Sequence, residues 1–266
     1  MSSRAALLRS RPILGYATST WAIRSSWRLP MLEMDGIDVR YGATQVLWDV
    51  SLRVGAGEVV AVMGPNGSGK STVLKVAMGL KTPSAGRVVF EGADLTRAPA
   101  TARPGAGMSI VLERRRLFPR MSLRENIEIG GFVLPRAEAR AQMEGVLALF
   151  PELVPHLEAS AGRLSGGQQQ MAAIARGLMA KPRLLLMDEP LLGLSPALQT
   201  RAFQLMADIN ARGVAILFNE QNAALSFRLS HRGYLLESGR VVLTGSGTDM
   251  LNHPEIRRVY LGEAAA

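Results

Sequence analysis

Gly64-Pro65-Asn66-Gly67-Ser68-Gly69-Lys70-Ser71-Thr72 is the stretch on which the reading of this 266-residue chain turns. It fits the pattern G-x-x-x-x-G-K-[ST], and its flanks fit as well. Before it, Glu58–Met63 becomes a continuous apolar run, the mark of a buried strand leading into a loop. After it, the residues from Ser71 to about Gly79 predict a helix. Strand, glycine loop and helix form the setting in which this motif binds phosphate. Glycines let main-chain N–H groups converge on an anion, and the helix start presents its positive end. Lys70 supplies a compact charge, and Ser71 offers a hydroxyl to Mg2+. The chain holds four lysines against 27 arginines, so a lysine here suits a place that a planar guanidinium would not fill. With this composition the four fixed positions coincide by chance in roughly 0.4% of chains.

Working outward, strands and helices alternate. Residues 50–54 alternate with period two, as in a half-exposed strand, and residues 87–90 and 108–112 also read as strands. Residues 122–150 read as helical, with Pro135 and Pro151 as breakers. Gln168–Ala180 predicts a strong helix stopped by Lys181-Pro182. Pro196 suits the first turn of a further helix, with Ser195 as its cap and Gly213 past its end. Val214–Phe218 reads as a buried strand. Tyr234–Glu237 and Val241–Thr244 flank Ser238-Gly239, a hairpin turn. Apolar strands alternating with helices predict an α/β fold whose mostly parallel sheet is covered on both faces. The helical stretch between Leu112 and Ala180 interrupts that alternation and reads as an inserted α-helical subdomain.

Leu184–Met187 is a further buried strand, and it ends in Asp188-Glu189-Pro190. Successive strand side chains point to opposite faces, so two adjacent acids can do different work. Asp188 would hold Mg2+ through its shell, and Glu189 would polarise water. Strand ends often carry acids, so the pair gains its meaning from the phosphate loop upstream. Leu164-Ser165-Gly166-Gly167-Gln168 opens the strong helix. It reads either as an N-cap with glycines or as a second anion site made by Ser165 and the helix start. One ATP cannot use two such cradles from one chain unless they face it from opposite sides.

The ordered pair of phosphate loop and LSGGQ, followed by the acidic strand, resembles the ABC ATPase family over residues 31–262. That resemblance implies a P-loop NTPase core with an opening antiparallel β subdomain and a helical subdomain at about residues 113–180. It implies ATP and Mg2+ as cofactors. It also implies that Ser165, Gly166, Gly167 and Gln168 close over the ATP of a second ATPase subunit, identical or related. Tyr41 matches the aromatic that stacks on adenine. Glu113 stands where most of the family has the glutamine that reaches nucleotide and metal, Gln221 at the switch histidine, and Ser195 at the usual aspartate. Catalytic roles then fall to Lys70, Glu189 and Gln221, and metal contacts to Ser71, Asp188 and Glu113.

These departures resemble one branch, the LivF-type ATPases of branched-chain amino acid importers. The stretches Leu117–Gly131, Glu220–Asn222 and Arg257–Gly262 look the same way. Leu112 stands where the branch has proline, and Arg114 where it has glycine. ATPases of urea and short-amide importers are very similar. The resemblance implies two transmembrane permease subunits, an indirectly linked solute-binding protein, and a peripheral place on the cytoplasmic face of the inner membrane.

Composition bounds these readings. At 47% hydrophobic and 20% charged the chain is ordinary for a globular protein. It has no cysteine, which excludes disulfides and thiolate chemistry. The three histidines show no metal-ligand spacing. The net charge is +9, but residues 1–30 hold five arginines and no acid, leaving 9 − 5 = +4 for the rest. That weakens a nucleic-acid reading. Residues 1–30 read as an upstream start, a disordered tail or a targeting segment, since Met31 already opens a strand; residues 263–266 read as a tail. A non-transport ABC ATPase acting on DNA or the ribosome would carry coiled coils or tandem domains, and neither is present. A subunit with dead chemistry is disfavoured by Lys70, Asp188 and Glu189. Arg114-Arg115-Arg116 reads as a basic turn or as a contact to the membrane partner.

Overall fold

The structure, a computed structural model, describes residues 30–260. The predicted tail at residues 1–30 lies outside the described residues except for Pro30, which opens the first strand and pairs with Gly55. Residues 263–266 lie outside them too.

The chain opens with the predicted antiparallel sheet. Strands β1 (Pro30–Tyr41), β2 (Thr44–Gly55), β4 (Ala85–Phe90) and β5 (Ala93–Asp94) are ordered β2-β1-β4-β5. In β1 the buried residues are Met31, Leu32 and Met34, then Ile37 and Val39. The odd step from Met34 to Ile37 coincides with a register shift against β2. Such an irregularity returns the later side chains to the covered face.

The second sheet has the order β10-β9-β3-β8-β7-β6. It comprises β3 (Val59–Met63), β6 (Met108–Val111), β7 (Leu184–Asp188), β8 (Ala215–Asn219), β9 (Arg232–Glu237) and β10 (Arg240–Ser246). The first five are mutually parallel, and only β10 runs antiparallel, against β9. In β3, β7 and β8 every residue is buried, and the period of two sorts them into two cores. Val59, Ala61, Met63, Leu185, Met187, Ile216 and Phe218 pack into one, and Val60, Val62, Leu184, Leu186, Ala215 and Leu217 into the other. The second core joins the antiparallel sheet and α1 (Lys70–Ala77). The first joins the helical elements: α2 (Leu123–Glu128), α3 (Arg136–Leu147), α4 (Gly166–Leu178) and α5 (Pro196–Ala211). A strand covered on both faces is apolar along its run, which is why these segments read as unbroken runs; only the last residues of β7 and β8, Asp188 and Asn219, are polar.

The predicted helical region at 122–150 is divided. Ile129–Gly131 forms a 3-10 turn between α2 and α3. Gly130 lies so close to α4 that a Cβ there would meet the Arg176 carbonyl oxygen. Helix α4 starts two residues earlier than predicted, because Ser165 caps it: its Oγ accepts from Gln168 N–H at 3.3 Å, and Gln168 Oε1 accepts from Ser165 N–H at 2.9 Å. Strand β5 and the helices α6 (Ala223–Leu229), α7 (Gly247–Asn252) and α8 (Pro254–Tyr260) are too short to leave a periodicity in the sequence. Among the described residues no helix is long and apolar enough to cross a membrane.

Candidate nucleotide site

The site is built at the C-terminal ends of three neighbouring parallel strands, β3, β8 and β7, where open α/β sheets gather their ligands. From β3 comes the phosphate loop. Gly64 leaves the strand at φ 151°, and a Cβ on it would lie 2.0 Å from the Leu236 carbonyl oxygen, so no larger residue fits. Gly69 caps α1 in the left-handed region without a side-chain hydrogen bond, so the first N–H groups of that helix have no side-chain acceptor. The Ser68 hydroxyl is buried and without a partner. A glycine-lined loop with an orphan hydroxyl and a bare helix start fits a phosphate. The β9–β10 turn braces the loop from behind: Gly239 N–H donates to the Ser68 carbonyl at 3.1 Å. A Cβ on Gly239, at φ 77°, would strike the Val46 carbonyl 2.1 Å away.

Lys70 is 5% exposed and donates to the carbonyls of Gly64 (2.8 Å) and Pro65 (3.0 Å). Burial lowers its pKa below the usual lysine value, while Glu189, Asp188 and Glu220 oppose that shift and favour the cation. Ser71 Oγ donates to Asp188 Oδ1 at 2.8 Å, and Asn219 Nδ2 donates to the same oxygen at 2.7 Å. Asn219 also accepts from Glu189 N–H at 2.7 Å. The Glu189 backbone is left-handed at φ 48°, a conformation that a non-glycine residue holds only where its surroundings impose it. Gln221 Nε2 reaches both Glu189 oxygens, at 3.1 and 3.2 Å. One chain of hydrogen bonds thus runs from Ser71 through Asp188, Asn219 and Glu189 to Gln221. No group of three or more His, Cys, Asp or Glu among the described residues could hold a metal alone. A lone carboxylate and a hydroxyl fit Mg2+, which takes oxygen donors and shares them with substrate phosphates.

Other predicted residues lie apart. Tyr41 is 44% exposed, with the Lys81 ammonium 4.4 Å from its ring centroid. Among the described residues Glu113 has no hydrogen bond or ion pair to Lys70, Ser71 or Asp188; its carboxylate meets Arg114 Nε at 3.4 Å. Ser165 and Gly166 are exposed and make no bond to the phosphate loop. Arg115 sits over this signature stretch: a Cβ on Gly166 would lie 3.1 Å, and one on Gly193 3.8 Å, from Arg115 Nη2. The signature and the 191–195 loop therefore share one face.

Two contributors have no motif to announce them. Asn219 is fully buried at the end of β8. Glu220 follows it, 5% exposed, and burial pushes its carboxyl up to about 7 against the pull of the Leu191 and Gln221 N–H groups. In the sequence Glu220 stands out only as the first residue of the Glu220–Asn222 triplet.

Comparison with known proteins decides the family. The family model "ABC transporter" matches residues 47–192. The chain belongs to the ABC transporter ATP-binding family. It is 41% identical to the high-affinity branched-chain amino acid transport ATP-binding protein BraG of Pseudomonas aeruginosa, over 87% of this chain and 100% of that one. It is 33% identical to a probable branched-chain amino acid transport ATP-binding protein of Archaeoglobus fulgidus, over 87% and 99%. Among solved structures, the ADP conformation of an ABC transporter cassette matches at TM-score 0.79 and 27% identity, over 88% of this chain and 100% of that one. A dimeric post-hydrolysis cassette bound to ADP and phosphate matches at TM-score 0.73 and 26% identity, over 81% and 98%. As an ABC ATPase, this chain binds nucleotide and has the P-loop NTPase fold predicted for it.

Proposed function

We propose that this ATPase, a single domain over residues 31–262 with its helical subdomain at 113–180, powers the import of branched-chain amino acids. The identity to BraG along that protein's whole length supports the solute class. It works at the cytoplasmic face of the inner membrane with two permease subunits. The observation that carries the chemistry is the hydrogen-bonded chain from Ser71 to Gln221, which stands beside Lys70 while the signature stands off from it. The phosphate loop and Lys70 hold the phosphates of ATP, with Tyr41 against adenine. Ser71 and Asp188, with Glu113 as the further donor that the resemblance implies, would hold Mg2+, which would supply charge neutralisation at the phosphates. Glu189 accepts the proton of the attacking water, and Gln221 fixes the rotamer of that carboxylate through its amide. Gln221 itself moves no proton, because an amide has none to give near neutral pH. Ser165–Gln168 of each subunit closes on the ATP held by its partner, so two ATP molecules are sandwiched per dimer.

The solute is tested by purifying the chain with its membrane subunits and measuring ATP-driven uptake into vesicles. Leucine, isoleucine and valine are expected to be taken up, and urea and short amides to be excluded. Uptake of an amide alone would overturn the solute assignment.

A further inference from the structure

Glu220 is the buried acid that the proposed chemistry leaves unused. One of its oxygens accepts from Leu191 N–H at 2.6 Å, and the other from Gln221 N–H at 3.2 Å. These donors belong to two different loops. Gln221 opens the loop after β8, and its amide grips Glu189. Leu191 opens the loop that runs through Gly193, at φ 71°, to the cap of α5 at Ser195. A cavity of about 180 Å³ lies between them, lined by Glu189, Leu191, Gly193, Gln199, Glu220 and Gln221. Across it, Glu220 is the tie. A carboxyl group of this length offers an oxygen to each loop, whereas glutamine would turn an NH2 against one N–H. The neighbouring Glu189 and the buried surroundings both disfavour the charge, and the N–H groups of Leu191 and Gln221 oppose that shift.

The 191–195 loop shares its face with the signature, because Arg115 lies against both Gly166 and Gly193. The link between the loops is tightened at α5, where a Cβ on Gly167 would lie 2.5 Å from Leu198 Cδ1. If the signature covers the partner's ATP, this loop lies at the partner's site too. Glu220 therefore bonds, on one side, the residue that orders its own catalytic glutamate and, on the other, the loop that faces the second nucleotide.

We propose that Glu220 is a positioning residue that couples the two ATP sites of the dimer, holding the switch of its own site and the 191–195 loop of the other in one arrangement. The proposal rests on the sandwich reading above. Its consequence is that altering Glu220 in one subunit slows hydrolysis at the site belonging to its partner.

Mixed dimers of differently tagged full-length chains test this. Copy one carries Glu189→Gln, so that only the Lys70–Glu189 site of copy two hydrolyses. Adding Glu220→Gln to copy one is expected to lower turnover at copy two's site at least fivefold, with the KM for ATP changed less than twofold. Glu220→Asp, too short to reach both N–H groups, is expected to give the same loss, and covers the case in which the glutamine variant folds poorly. Turnover within twofold of the Glu189→Gln-only dimer for the folded variants would overturn the coupling. Ser165→Arg in copy one of the same background is the control. If it slows copy two's site while the Glu220 variants do not, the sandwich stands and the coupling fails. If it leaves that site untouched, the sandwich fails and takes the coupling with it.

Discussion

Asn219 orients both acids of the Asp188–Glu189 pair, one through its side chain and one through the backbone, and so separates their tasks: Asp188 faces Ser71, and Glu189 is turned to Gln221. The separation makes a kinetic expectation. Lys70→Ala should lose ATP binding or hydrolysis outright, whereas Glu189→Gln should keep ATP binding and stall turnover; equilibrium binding with single-turnover kinetics distinguishes them. Equal loss of affinity in both would remove Glu189 from the chemistry. Glu220 makes a second expectation, in stability. Its carboxyl is raised from 4.5 to about 7, so its contribution is complete below pH 4.5 and is lost as pH rises through 7. Between those values the unfolded chain releases a proton that the folded one keeps, which weakens folding by up to about 1.4 kcal/mol per pH unit. The melting temperature of Glu220→Gln minus that of the wild type should therefore rise from pH 5 to pH 7 and level off above it. A flat difference would show that the carboxyl is not raised.

At the scale of elements, the segment between β6 and α2 holds the least expected backbone. Arg114, Arg115 and Arg116 are consecutively left-handed, at φ 64°, 63° and 50°. Arg114 stands where the resembling branch has glycine, and its conformation is the one glycine adopts without cost. Each such residue costs about 1–2 kcal/mol unless it is glycine. The segment is held by Arg176 of α4, which donates to the carbonyls of Arg116 (2.9 Å) and Arg115 (3.1 Å). Arg114→Gly should thus stabilise the fold by about 1 kcal/mol, read as a higher urea midpoint at unchanged slope. A lower midpoint would mean that the exposed Arg114 side chain contributes more than its backbone costs. The next stretch is pinned by Asn126, fully buried, whose amide bonds Phe118 N–H (2.7 Å), the Phe118 carbonyl (3.0 Å) and the Ser122 carbonyl (2.9 Å). Asn126→Ala leaves the Phe118 N–H unpaired, while the two carbonyls keep their bonds from the Met121 and residue-126 N–H groups, and should cost about 1–3 kcal/mol in chemical denaturation. A cost under 0.5 kcal/mol, the size of an ordinary surface change, would show that water replaces the amide.

Across the whole molecule, the three histidines lie away from the site. His231 Nδ1 accepts from Val59 N–H at the start of β3, the end opposite the phosphate loop. His156 closes a 3-10 turn, and His253 lies between α7 and α8. Among the described residues none of them bonds Glu189, Gln221 or Lys70. Changing all three to glutamine should leave the ATPase rate within about threefold, well below the tenfold that about 1.4 kcal/mol of barrier would produce. A hundredfold loss in a folded variant would show that one of them enters the reaction. With the histidines away from the site, a titration of the rate near neutral pH is expected to belong to Glu220, whose carboxyl burial pushes up to about 7.

The sequence by itself determined whatever depends on near neighbours. Apolar runs marked β3, β7 and β8, since a strand covered on both faces has no polar side. The glycines around Lys70 marked the phosphate loop, since its backbone admits no larger residue at Gly64. Leu164–Gln168 marked the opening of a helix, with Ser165 as a candidate cap, though the reciprocal bond to Gln168 and the earlier start came from the structure. Tertiary structure alone decided that β8 enters between β3 and β7. That insertion carries Asn219, Glu220 and Gln221 between Lys70 and Glu189, and no spacing along the chain encodes it. It also decided the fate of Glu220. Loss of hydration is summed over every surrounding atom, and the atoms around Glu220 come from segments about 30 and 150 residues away along the chain.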